Sequence, residues 1–86
     1  MEKNDEISKQ AANLIEEAAE HTGRAEFPSA ISEVEKAIDK LHGVNERVYR
    51  ELHDIKGILE MLSRHGGNGY IAGNMRRWLN RIADEV

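Results

Sequence analysis

The sequence predicts an all-α fold: a small antiparallel bundle of three or four helices with a heptad-patterned seam, paired as a homodimer. Three observations lead there. Apolar residues recur at steps of three and four along most of the chain, the spacing that keeps one face of a helix apolar. The pattern is punctuated at His21-Thr22-Gly23, His42-Gly43 and His65-Gly66-Gly67. A basic or hydrogen-bonding side chain suits a last helical turn, and a glycine just beyond takes up the left-handed cap. No strand-like alternation, internal repeat or low-complexity tract interrupts this organisation.

Length and composition narrow the class. At 86 residues the chain is one domain, 1–86. A chain so short buries only about 60–65% of its unfolded surface, so a partner chain that adds core is expected. There is no cysteine, which removes disulfides and thiolate metal sites and suits a reducing compartment. Glu2, Asp5 and Glu6 stand where a signal peptide needs a positive start and an apolar run, so the expectation is a soluble, cytoplasmic protein with no membrane association. The net charge is −4, with six acids against two lysines in residues 1–22 and three arginines against two acids in residues 66–86. An acidic whole argues against nucleic acid, whose non-specific binding is dominated by phosphate neutralisation.

Helix one is expected over about 5–22. Asn4 supplies a cap, Asp5 and Glu6 the first-turn acids, and Ile7, Ala11, Leu14, Ala18 and His21 an alanine-rich ridge that admits a close neighbour. Gly23 ends it. Phe27-Pro28-Ser29 restarts the chain, with Ser29 as the cap and helix two over about 29–42.

From Ile31 the register is unbroken: Val34, Ile38, Leu41, Asn45, Val48, Leu52, Ile55, Leu59 and Leu62 follow as heptad a and d positions. Two readings fit. One continuous helix from Ser29 to Arg64 would run about 54 Å at about 1.5 Å per residue, would need a partner helix, and would use Asn45 to set register. The other breaks at His42-Gly43-Val44-Asn45, with Gly43 as the C-terminal cap, Asn45 as the next N-cap, Glu46 as first-turn acid, and Val44 and Tyr49 as a hydrophobic staple. Helix three then spans about 45–65, with Glu46/Arg50/Asp54, Arg47/Glu51 and Lys56/Glu60/Arg64 spaced for ion pairs. Gly66-Gly67-Asn68-Gly69 forms a turn, and Ile71, Met75, Trp78, Leu79, Ile82 and Val86 line a last helix over about 70–85.

His53 is the histidine that helix punctuation leaves unexplained. It falls at a b position, facing solvent beside core Leu52, with Lys56 nearby and Gly57 one turn later. A mid-helix glycine costs about 1 kcal/mol relative to alanine, and open access to the imidazole is one reason to bear that cost. Lys56 is placed to steady a developing phosphoryl charge. The run His53-Asp54-Ile55-Lys56-Gly57 resembles the His-x-x-Lys-Gly core of histidine-phosphotransfer domains, and His53-Asp54-Ile55-Lys56 looks like the phosphoacceptor box of sensor histidine kinases. The resemblance implies a phosphorylatable His53 on a helical bundle, supported by Lys56 and Gly57. It covers about five residues. Ile58 and Leu59 depart from the small residues that usually come next in phosphotransfer domains, and Ile58 replaces the proline of the kinase box.

Other chemistries have weaker signals. His42 has Asp39 and Glu46 at metal-ligand offsets only if the helix is continuous, so no metal and no cofactor is expected. Gly66-Gly67-Asn68-Gly69 ahead of a helix can present amides to an anion, although a turn explains it as well. Asn74, Arg77 and Arg81 share one face, with Arg76 beside it: a solvated face first, otherwise a surface for nucleic acid or an acidic partner. The functional expectation is a protein-interaction module, a regulator, adaptor or inhibitor and not an enzyme. Its assembly interface is expected at Val48, Leu52, Ile55, Leu59, Leu62, Trp78 and Ile82, and partner contacts at Asn74, Arg77 and Arg81. The alternative is a phosphorelay protein with His53 as phosphoacceptor.

Overall fold

Four helices account for the chain: α1 (Glu2–Gly23), α2 (Phe27–Leu41), α3 (Glu46–His65) and α4 (Gly69–Glu85). The computed structural model describes residues 2–66 and 68–86, with side chains from Asp5 onward. Connections of three or four residues force consecutive helices to run antiparallel, and the bundle measures 41 × 18 × 17 Å. α1 packs against both α2 and α4, α2 against α3, and the α3–α4 contact is the loosest of the four. No described helix is long and apolar enough to cross a membrane.

The segment between α2 and α3 decides the topology, and it excludes the continuous helix. Gly43 has φ +79°, and Asn45 Oδ1 accepts from Val48 N at 3.2 Å. Glu46 Oε1 accepts from Gly43 N at 3.1 Å, while Val44 N and Asn45 N donate back to Leu41 O at 2.9 and 3.0 Å. Thus one helix is closed and the next opened with their end groups satisfied, as each requires. Asn45 is a cap and not a register-setting core residue. Val44 and Tyr49 both pack against the core, as a staple should.

The fold-back buries the heptad residues against each other within one chain. Val34, Leu41, Val48, Leu52, Ile55 and Leu59 are fully enclosed, with Ile38 and Leu62 nearly so. Each such side chain contributes about 1.5–3 kcal/mol of burial. Two stripes that face each other across a tight turn keep one phase, which is why a hairpin shows the pattern of a long coil.

Other elements start and stop differently from expectation. α1 begins at Glu2, so Asn4 lies inside it and not ahead of it. Its buried residues are Ala11, Ile15, Ala18, Ala19 and Thr22, with Ile7 and Leu14 half-buried, because a helix held between two neighbours buries a broader arc than one ridge. Gly23 does not adopt the left-handed cap; Ala25 does, at φ 61°. At Gly23 an added Cβ would lie 2.9 Å from Arg76 Cδ of α4, so a larger residue there would push the flexible Arg76 side chain aside. α2 starts at Phe27 with Glu26 at its N-cap and no side-chain cap bond, so Ser29 is already helical. At the start of α4, Asn68 Oδ1 accepts from Tyr70 N (2.9 Å) and Ile71 N (3.2 Å). Gly67, part of the expected turn, lies outside the described residues.

Candidate functional site

His53 lies on the flank of α3 that turns toward α2. Residues 49, 53 and 56 succeed one another at helical spacing just beside the core positions Leu52 and Ile55, and the hairpin sets them opposite Glu35, Ile38, Asp39 and His42 of α2. These seven residues line an open groove of about 550 Å³. Tyr49 stands between two imidazoles, its ring centroid 4.9 Å from His42 and 4.7 Å, edge-on, from His53. The His42 pair is tilted and the His53 pair edge-to-face, the latter a favoured aromatic arrangement. His53 itself is exposed.

The groove unites His53 and Lys56 as the sequence suggests, with two qualifications. Lys56 Nζ is engaged by Glu35 Oε2 at 3.2 Å, so the cation beside His53 is already paired. A Cβ at Gly57 would meet nothing within 4 Å, so packing does not demand glycine there. Glu35 is not legible in the sequence as a site residue, and Asp39, His42 and Tyr49 read there only as a conditional metal pair, a helix end and a staple, not as a groove beside His53. His42 reads as a helix end, which it is, and only the turn reveals that its ring also stacks on Tyr49.

The expected interface residues are placed elsewhere. Val48, Leu52, Ile55, Leu59 and Ile82 have no exposed surface, and Leu62 has almost none, so in this fold they serve the chain's own core. Trp78 is half-buried on the α3–α4 side, where its Nε1–H donates to Glu51 Oε1 at 3.1 Å. Arg47 lies 3.5 Å from Glu51 Oε2 and 3.7 Å from Glu85, tying the start of α3 to the end of α4. Glu51 Oε2 is buried without a hydrogen bond, so the carboxylate is held by Trp78 at Oε1 and faces Arg47 at Oε2. Of the expected i,i+4 pairs only Arg47–Glu51 forms among the described residues, because Lys56 reaches across to α2.

Below Trp78 the loose α3–α4 contact leaves an apolar furrow. Ile58 and Ile71 are half-buried, Met61 is 46% exposed, and Met61, Leu62 and Ile71 line a cavity of about 200 Å³ with His65 at its edge. On the outer face of α4, Arg77 donates to Asn74 Oδ1, and Arg77 and Arg81 are exposed with no carboxylate in ion-pair range among the described residues. The anion reading of the α4 start loses two of its amides, those of Tyr70 and Ile71, to the Asn68 side chain. Among the described residues no group of three or more His, Cys, Asp or Glu side chains is placed to hold a metal ion. With the helix broken at Gly43, Asp39, His42 and Glu46 no longer share a helical face.

Comparison with protein-family models, with curated proteins and with solved structures gives no match. The class of protein is therefore defined by its fold, a small four-helix bundle.

Proposed function

We propose that this chain is a protein-interaction module of the cytoplasm that self-associates as a homodimer and regulates a protein partner by binding. The observation that carries this reading is the loose α3–α4 contact, beside which Met61, Leu62 and Ile71 line an apolar cavity while Ile58 and Trp78 stay partly exposed. Apolar side chains gathered at one open side mark binding surfaces more often than scattered ones do. A chain of 86 residues buries only about 60–65% of its unfolded surface, and a second copy seated on this side would bury more. Asn74, Arg77 and Arg81, on the adjacent outer face of α4, supply polar contacts to an acidic partner. The test is sedimentation equilibrium of the wild type and of Met61→Glu. A micromolar dimer that Met61→Glu converts to a folded monomer supports the reading, and a wild-type monomer at those concentrations refutes the homodimer.

A second reading is favoured by His53, exposed in the α2–α3 groove beside Lys56 and open at Gly57. In it, an imidazole nitrogen of His53 attacks the phosphorus of a receiver domain's aspartyl phosphate. The P–N bond forms as the acyl P–O bond breaks, the aspartate leaves as carboxylate, and the reverse step passes the group on. Lys56 would share its charge between Glu35 and the phosphoryl oxygens. Acid-labile, base-stable label on the wild type and none on His53→Gln supports relay. Equal labelling of both, or none of the wild type, removes it.

A further inference from the structure

The connection between α1 and α2 is held by an unusual concentration of groups around one residue. His21, in the last turn of α1, donates from Nδ1 to Glu33 Oε1 of α2 at 2.6 Å, while its Nε2 lies 3.9 Å from Glu26 of the connection. Its carbonyl accepts from Glu26 N at 2.8 Å and from Arg24 N at 3.2 Å, so ring and backbone both hold the connecting residues in place. Glu33 is only 12% exposed, which leaves water little room to replace the imidazole as its partner. Between the two anchors the chain passes through Ala25 in the left-handed region, a conformation that an alanine adopts only when its surroundings impose it.

We propose that His21, Glu33 and Glu26 form an acid-strengthened clamp on the α1–α2 hinge, in which a proton taken up by His21 tightens the junction and its loss loosens it. Neutral His21 keeps a single N–H and no charge, whereas the protonated ring presents a cation to two carboxylates at once. The other charged groups around it do not reverse this. Arg24 in the connection opposes the cation, Glu17 precedes His21 by one turn on α1, and Lys36 lies one turn beyond Glu33 on the exposed side of α2. Arg76 of α4 lies over Gly23, whose position two residues on points to the far side of α1.

The sign of the effect is fixed by the direction in which the imidazole titrates. The hydrogen bond from Glu33 raises the His21 pKa above its ordinary value of 6.5, burial opposes, and the charges of Glu33 and Glu26 add to the rise. A group whose folded pKa exceeds its unfolded one contributes stability that is complete below the unfolded value and lost as pH climbs through the folded value. The clamp is therefore complete below pH 6.5 and weakens as pH climbs above it.

The experiment is urea unfolding of the full chain from about pH 5.5 to about pH 8.5, the span over which an imidazole changes charge, for the wild type, His21→Gln and Glu33→Gln, together with NMR titration of the His21 ring. The expected result is a wild-type stability that falls with rising pH more steeply than that of either variant. The His21 ring should titrate above the ordinary imidazole value of 6.5 in the wild type and move down in Glu33→Gln. Equal pH slopes in wild type and His21→Gln overturn the proposal. So does a wild-type His21 ring that titrates at or below 6.5, a readout that stands even where a variant fails to fold.

Discussion

Gly43→Ala tests the turn that organises the whole molecule. The glycine sits at φ +79°, and an added Cβ would meet nothing within 4 Å, so the substitution causes no clash and its effect is purely conformational. An L-residue held in the left-handed region costs about 1–2 kcal/mol. Loss of glycine's freedom in the unfolded chain offsets about 0.4–1 kcal/mol of that, leaving a net destabilisation of about 1 kcal/mol. Gly57→Ala is the matched control, because its Cβ also enters open space but its backbone is mid-helix. There alanine should stabilise by about 1 kcal/mol. In urea, with a slope of about 1 kcal/mol/M for so small a chain, the midpoints should move by about 1 M in opposite directions with unchanged slopes. If Gly43→Ala raised the midpoint as Gly57→Ala does, residue 43 would be helical and the argument for the hairpin would fail.

Ala25→Gly should stabilise by about 0.5–1 kcal/mol, since glycine takes φ 61° without a Cβ penalty and the residue is exposed; thermal unfolding would show it as a higher Tm. Asn45→Ala should cost about 1 kcal/mol in the same assay by leaving Val48 N without its cap acceptor, whereas Asn45→Asp should retain most of the stability. Leu52→Asp places a charge where the side chain is wholly enclosed by its own chain, so circular dichroism should report unfolding and not a folded monomer released from a dimer.

Much of the architecture was written in local chemistry. The apolar steps of three and four, the glycines after His42 and His65, and Asn45 as a helix starter are each decided within about one turn of chain, where hydrogen-bond closure and backbone sterics act. The all-α class comes from these alone, whereas the choice between one helix and two over 29–64 does not. The cap at Asn4 and the start at Ser29 failed for the same reason in reverse: several residues near a helix start can serve, and packing chooses among them.

What only the tertiary structure decided is which surfaces meet. A heptad pattern states that one face is apolar and not whether its cover comes from the same chain. Gly43 in the left-handed region turns α3 back on α2, so Val48, Leu52, Ile55 and Leu59 are spent inside one bundle, while Ile58, Met61, Ile71 and Trp78 stay partly exposed. The same turn puts Glu35 of α2 against Lys56 of α3, and Tyr49 between His42 and His53. The α1–α2 connection likewise brings Glu33 to His21, twelve residues away in sequence. Such contacts depend on the rotation of one helix against another, a quantity set by the summed fit of the core and carried by no single residue in it.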